Sequence, residues 1–323
     1  MFIFIILILI LTYILLTIHN FSIKMIIGKY MLLRMVTKVK TGIVFEGGAF
    51  RTIFSCGVMD ALVENDIMPD YMIGVSAGAA YGVSMASKQP RRNLDVLMKY
   101  RNDKRYLGLS NMIDKDNKSI YGLEFSYETI PNELNLFDYD AFKQYKGDFY
   151  CVVTNLLTGQ PEYMKYTGDD RTNTVLKATC ALPMLFPPII INDVPYMDGG
   201  LSDSIPYLKA IEDGCDRIIV VLTRQSGYTK TTSRSTKAIA YSYRNQYPKL
   251  TESMLTRASR YNESLIGRAQ YVKEGRIITI QPTTSKGFSR LEKDKNKILS
   301  MYNDGYNQCY ELLDTIKEFY GIK

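Results

Sequence analysis

Tyr71-Met72-Ile73-Gly74-Val75-Ser76-Ala77-Gly78 is the stretch on which the fold of this chain turns. The apolar run Tyr71 to Ile73, bounded by Pro69-Asp70 and a glycine, has the length and composition of a buried strand. Small residues from Ala79 to Ser87 suit a helix, so Ser76 falls on a strand-to-helix turn. Gly74 and Gly78 let the two backbones close around a residue held in a strained conformation, which pushes the serine hydroxyl outward. A helix starting just after it aims free N–H groups and partial positive charge at an oxyanion formed there. A plain Gly/Ser turn is the competing reading, because G-x-S-x-G also recurs by chance.

The chain holds a single histidine, His19, within or beside an apolar N-terminal stretch. A Ser-His-Asp triad at Ser76 is therefore excluded, as are histidine-built zinc sites. A nucleophilic Ser76 needs a carboxylate, a lysine or something less usual as its base. The five cysteines are scattered without C-x-x-C spacing and are odd in number, which points to buried thiols in a reducing compartment and to no metal site. With 323 residues, 46% apolar and 23% charged, the chain can form one large α/β domain with additions or two modest ones. Its net charge of +7 fits an anionic surface as partner or simply a solvated basic face.

Residues 2–18 are almost uninterrupted Ile, Leu and Phe, near the lower limit for a membrane-spanning helix. No basic residue precedes them and no small-residue cleavage site follows, against a secretory signal peptide. Lys24, Lys29, Arg34, Lys38 and Lys40 come next, so an anchor here would leave the bulk of the chain in the cytoplasm. Met25, Met31 and Met35 stand as alternative starts, which would make the leader an extension. The expected organisation is an apolar segment over 1–34, a catalytic α/β domain over 40–225 and a mainly helical region over 226–323.

From Gly42 onward strands alternate with helices. Gly42 to Phe45, Tyr71 to Ile73, Phe149 to Asn155, Glu162 to Tyr166, Tyr196-Met197, Arg217 to Leu222 and Arg276 to Ile280 read as strands. Ile53 to Asn65, Pro90 to Tyr100, Thr172 to Ala181 and Tyr302 to Tyr320 read as helices, while residues 101–148 are polar, Tyr-rich and unassigned. Such alternation predicts a mostly parallel sheet covered by helices.

Three further stretches carry chemistry. In Glu46-Gly47-Gly48-Ala49-Phe50-Arg51-Thr52, glycines between strand and helix leave backbone N–H groups free to hold a phosphate or an oxyanion, unless the loop is an ordinary turn. It is not a Walker A loop, since no Lys-Ser/Thr follows, so no nucleotide is expected. In Tyr196-Met197-Asp198-Gly199-Gly200, Asp198 at a strand end is the first candidate for the base. Asp203 and Asp193 are the alternatives, read more easily as a cap and a turn residue. From Arg224 to Leu250 six basic residues and four tyrosines occur with no acid, a segment suited to lipid headgroups or to solvent. The modest overall charge argues against dedicated nucleic-acid binding.

Taken in order, Glu46 to Arg51, Gly74 to Gly78, Ala181-Leu182-Pro183-Met184-Leu185-Phe186-Pro187-Pro188 and Asp198-Gly199-Gly200 resemble the motifs of the patatin-like phospholipase family, especially its bacterial branch. The resemblance covers roughly residues 42–210. It implies a patatin-like three-layer α/β/α fold and a Ser76-Asp198 dyad acting on lipid acyl esters without cofactor or metal. It also implies an oxyanion hole at Gly47, Gly48 and Ala49, with Arg51 supporting that loop. The chain departs from the pattern at Ala49, where glycine is usual, and at Thr52, where glycine commonly follows the arginine; alanine keeps its N–H. The same dyad passing the acyl group to an alcohol would make an acyltransferase, and a chain without the chemistry would be a lipid-binding module.

Overall fold

In the computed structural model, which describes residues 39–322, the buried apolar runs become one eight-stranded sheet. The expected anchor at residues 2–18 lies outside the described residues. Among those described, no helix is long and apolar enough to cross a membrane. The strands are β1 (Thr41–Phe45), β2 (Tyr71–Val75), β3 (Asp148–Asn155), β4 (Pro161–Lys165), β5 (Ile189–Ile191), β6 (Val194–Asp198), β7 (Arg217–Val221) and β8 (Ile277–Ile280). They lie in the order β5-β6-β3-β2-β1-β7-β8, with β4 also on β3. Neighbours among β3, β2, β1, β7 and β8 run parallel. The β4, β5 and β6 pairings are antiparallel.

Parallel neighbours need crossover connections, which here are helical. The helices are α1 (Ile53–Glu64), α2 (Ala77–Ala86), α3 (Arg92–Tyr100), α4 (Ser110–Ile113), α5 (Tyr139–Gln144), α6 (Thr174–Cys180), α7 (Tyr207–Glu212), α8 (Arg234–Ser242), α9 (Pro248–Lys273), α10 (Lys295–Glu311) and α11 (Leu313–Tyr320). Side chains alternate across a strand. Ile43, Phe45, Met72, Ile219 and Val221 thus enter one core with α1 and α10. Val44, Ile73, Val75, Ile218 and Val220 enter a second core with Tyr207 of α7 and Tyr261 of α9. Both faces are covered, giving the three-layer α/β/α arrangement.

The unassigned stretch 101–148 holds α4, α5 and, between them, a widened π-type helix, Phe125–Leu134, with Pro131 inside it. Its burial is shared by Leu107, Ile130, Phe137 and Phe142 with the tyrosines Tyr106 and Tyr139, irregularly spaced among polar residues. A tyrosine looks polar in sequence yet buries an aromatic body, which hides the apolar period. The single helix expected over 302–320 is two, α10 and α11. The first begins early because the Asp294 carboxylate accepts from the amides of Asn296 and Lys297 at 2.8 and 3.3 Å.

The C-terminal region packs directly on the sheet. β8 extends it beside β7, and the Tyr320 hydroxyl donates to the Gly42 carbonyl at 2.6 Å. α10 crosses α1 with backbones in contact. A Cβ on Gly57 would lie 2.1 Å from the Tyr302 carbonyl oxygen, and one on Gly305 would lie 2.0 Å from that of Phe54. Tyr302 seals the crossing by donating to the buried Asp60 carboxylate at 2.7 Å. Gly57→Ala and Gly305→Ala must push the helices apart, and each is expected to cost about 3 kcal/mol, the upper end for overpacking. Urea unfolding measures this, and a midpoint equal to the parent's would mean that the helices do not touch through their backbones.

Candidate active site

The sheet register brings Ser76 and Asp198 together. Along β3, Val152 pairs with Val75 and Tyr163, and Val153 pairs with Asp198 and Glu162. A strand has only two edges, so β2 and β6 share the edge opposite β4. β2 ends at Val75, and β6 takes the next rung with Asp198. Ser76, one residue past Val75, therefore turns away beside the Asp198 carboxylate.

Ser76 has φ 55° and ψ −130°, a conformation that costs a non-glycine residue roughly 1–3 kcal/mol. Close backbones hold it there: a Cβ on Gly74 would meet Ala79 at 2.5 Å, and one on Gly78 would meet the Phe45 carbonyl oxygen at 2.5 Å. The Ser76 amide donates to the Thr179 hydroxyl at 2.9 Å, and that hydroxyl donates to the Val152 carbonyl at 2.5 Å. Thr179, on α6 and fully buried, thus ties the turn to β3. Nothing in the sequence around it marks this positioning role, since a threonine in a helix is unremarked.

The loop after β1 lies against Ser76, because a Cβ on Gly47 would stand 2.7 Å from the Ser76 Cβ. The flanking amides are taken: Glu46 donates to Val221 and Phe50 to Arg290, each at 3.0 Å. The amides of Gly47, Gly48 and Ala49 donate to no other group among the described residues. Ala49 holds φ 49°, the left-handed conformation that glycine would adopt at less cost. The Glu46 carboxylate fixes the loop from below, accepting from the Thr223 amide at 2.7 Å and from the Tyr261 hydroxyl at 2.9 Å. Arg51 is buried beside the loop, and its Nε has no hydrogen-bond partner.

Asp198 is 2% exposed and caps the turn Gly199–Leu201, accepting from the Gly200 amide at 2.8 Å. Burial pushes its pKa above the ordinary carboxylate range, against the opposing pull of the Ser76 hydroxyl and the Arg257 guanidinium. The alternatives sit elsewhere. Asp203 accepts from the Tyr163 hydroxyl at 3.0 Å and the Ile205 amide at 3.2 Å. Asp193 and Asn192, with φ 64° and 49°, form the two-residue hairpin turn between β5 and β6.

Ser76 opens onto two cavities. One is apolar and includes Tyr81, Val83, Tyr106, Tyr127, Ile130 and Leu176, so that the 101–148 stretch supplies much of its wall. The other holds Asp198 and the loop amides together with Arg51, Arg224, Lys230, Arg257 and Arg290. Two of these, Arg224 and Lys230, belong to the basic segment read from sequence. They turn inward, whereas Arg234, Lys237, Arg244 and Lys249 are exposed. The long helix α9 was missed as a site element. It carries Arg257 and Tyr261, and Ser253 and Arg260 hydrogen-bond the Leu201 carbonyl at 3.1 and 2.6 Å. Leu250, Met254, Tyr261 and Leu265 at helical spacing, after Pro248, could have revealed the helix but not the face it turns to Ser76.

The patatin-like phospholipase family matches residues 43–211, and a domain of unknown function (DUF6363) matches residues 247–321. The chain is 27% identical over 196 residues to the uncharacterized protein YjjU of Escherichia coli strain K12, covering 57% of this chain and 52% of that protein. It is 29% identical over 191 residues to lysophospholipase nte1 of Aspergillus terreus, covering 56% of this chain and 12% of that protein. The chain thus spans about half the length of the first relative and a small part of the second. Among solved structures, VipD from Legionella pneumophila superposes with a TM-score of 0.40 at 14% identity, over 86% of this chain and 67% of that one.

A buried carboxylate serving Ser76 as base would set a pH dependence. A base works only when ionised, and the Asp198 pKa is raised. Covalent labelling of Ser76 by a fluorophosphonate should slow as pH falls through a value above about 4, the ordinary aspartate value. Asp198→Asn should label slowly with no such limb; a limb surviving in that variant would assign the titration to another group.

Proposed function

Because this chain belongs to the patatin-like phospholipase family, we propose that it is a lipid acyl hydrolase in which Ser76 attacks an acyl ester and Asp198 takes its proton. The observation that carries this reading is the position of Ser76, between an apolar cavity and the buried carboxylate. The acyl chain lies in the apolar cavity, which brings the ester carbonyl over the hydroxyl. As the Oγ–carbonyl bond forms, Asp198 accepts the hydroxyl proton, and the amides of Gly47, Gly48 and Ala49 receive the oxyanion. Asp198 then returns the proton to the departing alcohol, leaving an acyl-serine. A water then attacks the acyl carbonyl as it gives a proton to Asp198, and Asp198 passes that proton to the departing Ser76 Oγ, which frees the fatty acid and restores both residues.

A carboxylate of ordinary pKa is a weak base for a serine. Burial of Asp198 moves it toward the working range, and the free amides with the α2 N-terminus lower the barrier further. A membrane carrying the substrate would meet Arg234, Lys237, Arg244 and Lys249, each adding about 1 kcal/mol near an anionic surface.

Ser76→Ala and Asp198→Asn are each expected to lower kcat on a lipid ester by roughly 10³-fold or more while the fold persists. Turnover kept by either would remove the dyad. Ile130→Trp, which fills the apolar cavity, should cut kcat/KM for long acyl chains at least about tenfold while sparing a two-carbon ester. Equal loss on both would place the acyl chain elsewhere.

A further inference from the structure

The cavity on the other side of Ser76 gathers more cations than carboxylates. Five basic side chains line it, and its two carboxylates are Glu46 and Asp198. Both are committed: Glu46 to the Thr223 amide and the Tyr261 hydroxyl, Asp198 to the Gly200 amide and Ser76. Among the described residues none of the five cations forms an ion pair. The Nε atoms of Arg51 and Arg257 are buried without a hydrogen-bond partner. Arg51 is buried, Arg224, Lys230 and Arg257 are half-buried and Arg290 stands at the exposed rim. Charges drawn that far out of water are normally paired, so such a group persists where an anion completes it.

The cluster is built. The Lys230 backbone is pinned on both sides by Asn262, through bonds of 2.8 and 3.0 Å. Its ammonium lies over the Tyr261 ring at 4.1 Å, and the Arg224 guanidinium lies over Tyr228 at 4.5 Å. Ring contacts of this kind orient a cation without taking up its N–H groups, and of those on Arg224 one Nη reaches the Ser285 hydroxyl at 3.4 Å. Arg257 reaches in from α9, 3.2 Å from where a Cβ on Gly200 would stand. Arg290 is held by its carbonyl, which accepts from Phe50.

We propose that Arg224, Lys230, Arg257 and Arg290, with Arg51, form a subsite for the phosphate of a phospholipid whose acyl ester lies over Ser76. The assignment rests on the acyl-hydrolase reading above. Guanidinium forks match phosphate oxygens in pairs, and in a glycerophospholipid the phosphate stands a few bonds from each acyl ester. That spacing suits an ester held between an apolar cavity and a cationic one. Titration behaviour agrees: burial, then repulsion from Arg257, takes Lys230 down to about 7, and burial with Arg224 and Arg290 takes Arg51 down to about 10. A bound phosphate opposes both shifts. Four of the five cations lie beyond the family match at 43–211, and Arg257 and Arg290 lie in the domain of unknown function, which this gives a role.

The test uses the full chain in micelles of a neutral detergent, comparing 1-oleoyl lysophosphatidate with 1-oleoylglycerol. The parent should prefer the phosphate ester, and Lys230→Gln and Arg257→Gln should each lower the ratio of the two kcat/KM values about tenfold, mainly through KM, as for a lost charge-assisted contact. An unchanged ratio overturns the proposal. So does inhibition by inorganic phosphate without preference for lysophosphatidate, which would mark a site for the free ion. Removing a cation that stands in no ion pair should leave the urea midpoint of Lys230→Gln near the parent's, less only the small contribution of its Tyr261 ring contact; a fall as large as that of Gly57→Ala would mean that Lys230 is a structural partner and would also overturn it. Calorimetry on Ser76→Ala with dioctanoyl phosphatidate and dioctanoylglycerol separates the two readings. Selective phosphatidate binding without ester cleavage by the parent would end the hydrolase reading and keep the subsite, whereas cleavage without selectivity would do the reverse.

Discussion

One edge of β3 is shared by two strands, and the geometry around Ser76 follows from that. β2 occupies the edge up to Val152, and β6 occupies it from Val153. Where one strand must leave for the other to enter, the backbone of the first turns sharply. That turn is Ser76, at φ 55°. Hydrogen-bond registry in a sheet is fixed to the residue, so a slip of one position in either strand would separate the hydroxyl from the carboxylate. Thr179 reinforces the point of exchange by bonding Ser76 and Val152 at once.

The second constraint is Glu46. A carboxylate 4% exposed is costly unless its oxygens are satisfied, and both are, by Thr223 and by Tyr261. These partners come from the end of β7 and from α9, so the loop bearing the free amides is closed by chain far beyond it. α9 also holds the turn after Asp198 through Ser253 and Arg260. The C-terminal region is thus part of the frame of the site, an arrangement that the backbone contact of α10 with α1 makes rigid.

This frame supports features that cost stability locally. Ser76 and Ala49 both hold left-handed φ, and a group of cations faces Ser76 outside any ion pair among the described residues. Each is tolerable because two apolar cores lie on either side of the sheet and over-determine the loops between them. Local strain and unpaired charge gather where strands and loops meet at the carboxyl end of the parallel sheet, where ligands are commonly bound in open α/β folds.

What neighbouring residues control was legible from the sequence. Short continuous apolar runs that become strands buried on both faces, the turn at Ser76, the glycine loop after β1 and the turn at Asn192-Asp193 depend on local composition, φ and ψ, and one histidine in the composition excluded a triad. The 101–148 stretch was illegible because its few buried residues, Phe and Ile as well as Tyr, are set in short and π-type helices whose spacing matches no regular period. Local pattern put Asp198 ahead of Asp203 by its place at a strand end before two glycines, but its nearness to Ser76 comes from sheet register, which sets it against Val153 and leaves Asp203 to Tyr163. Tertiary structure alone likewise decided that Tyr261 reaches Glu46 across 215 positions, and that Arg224 and Lys230 turn inward while their neighbours face solvent. Helical spacing tells that a face exists, but what that face meets is fixed by the packing of elements distant in the chain.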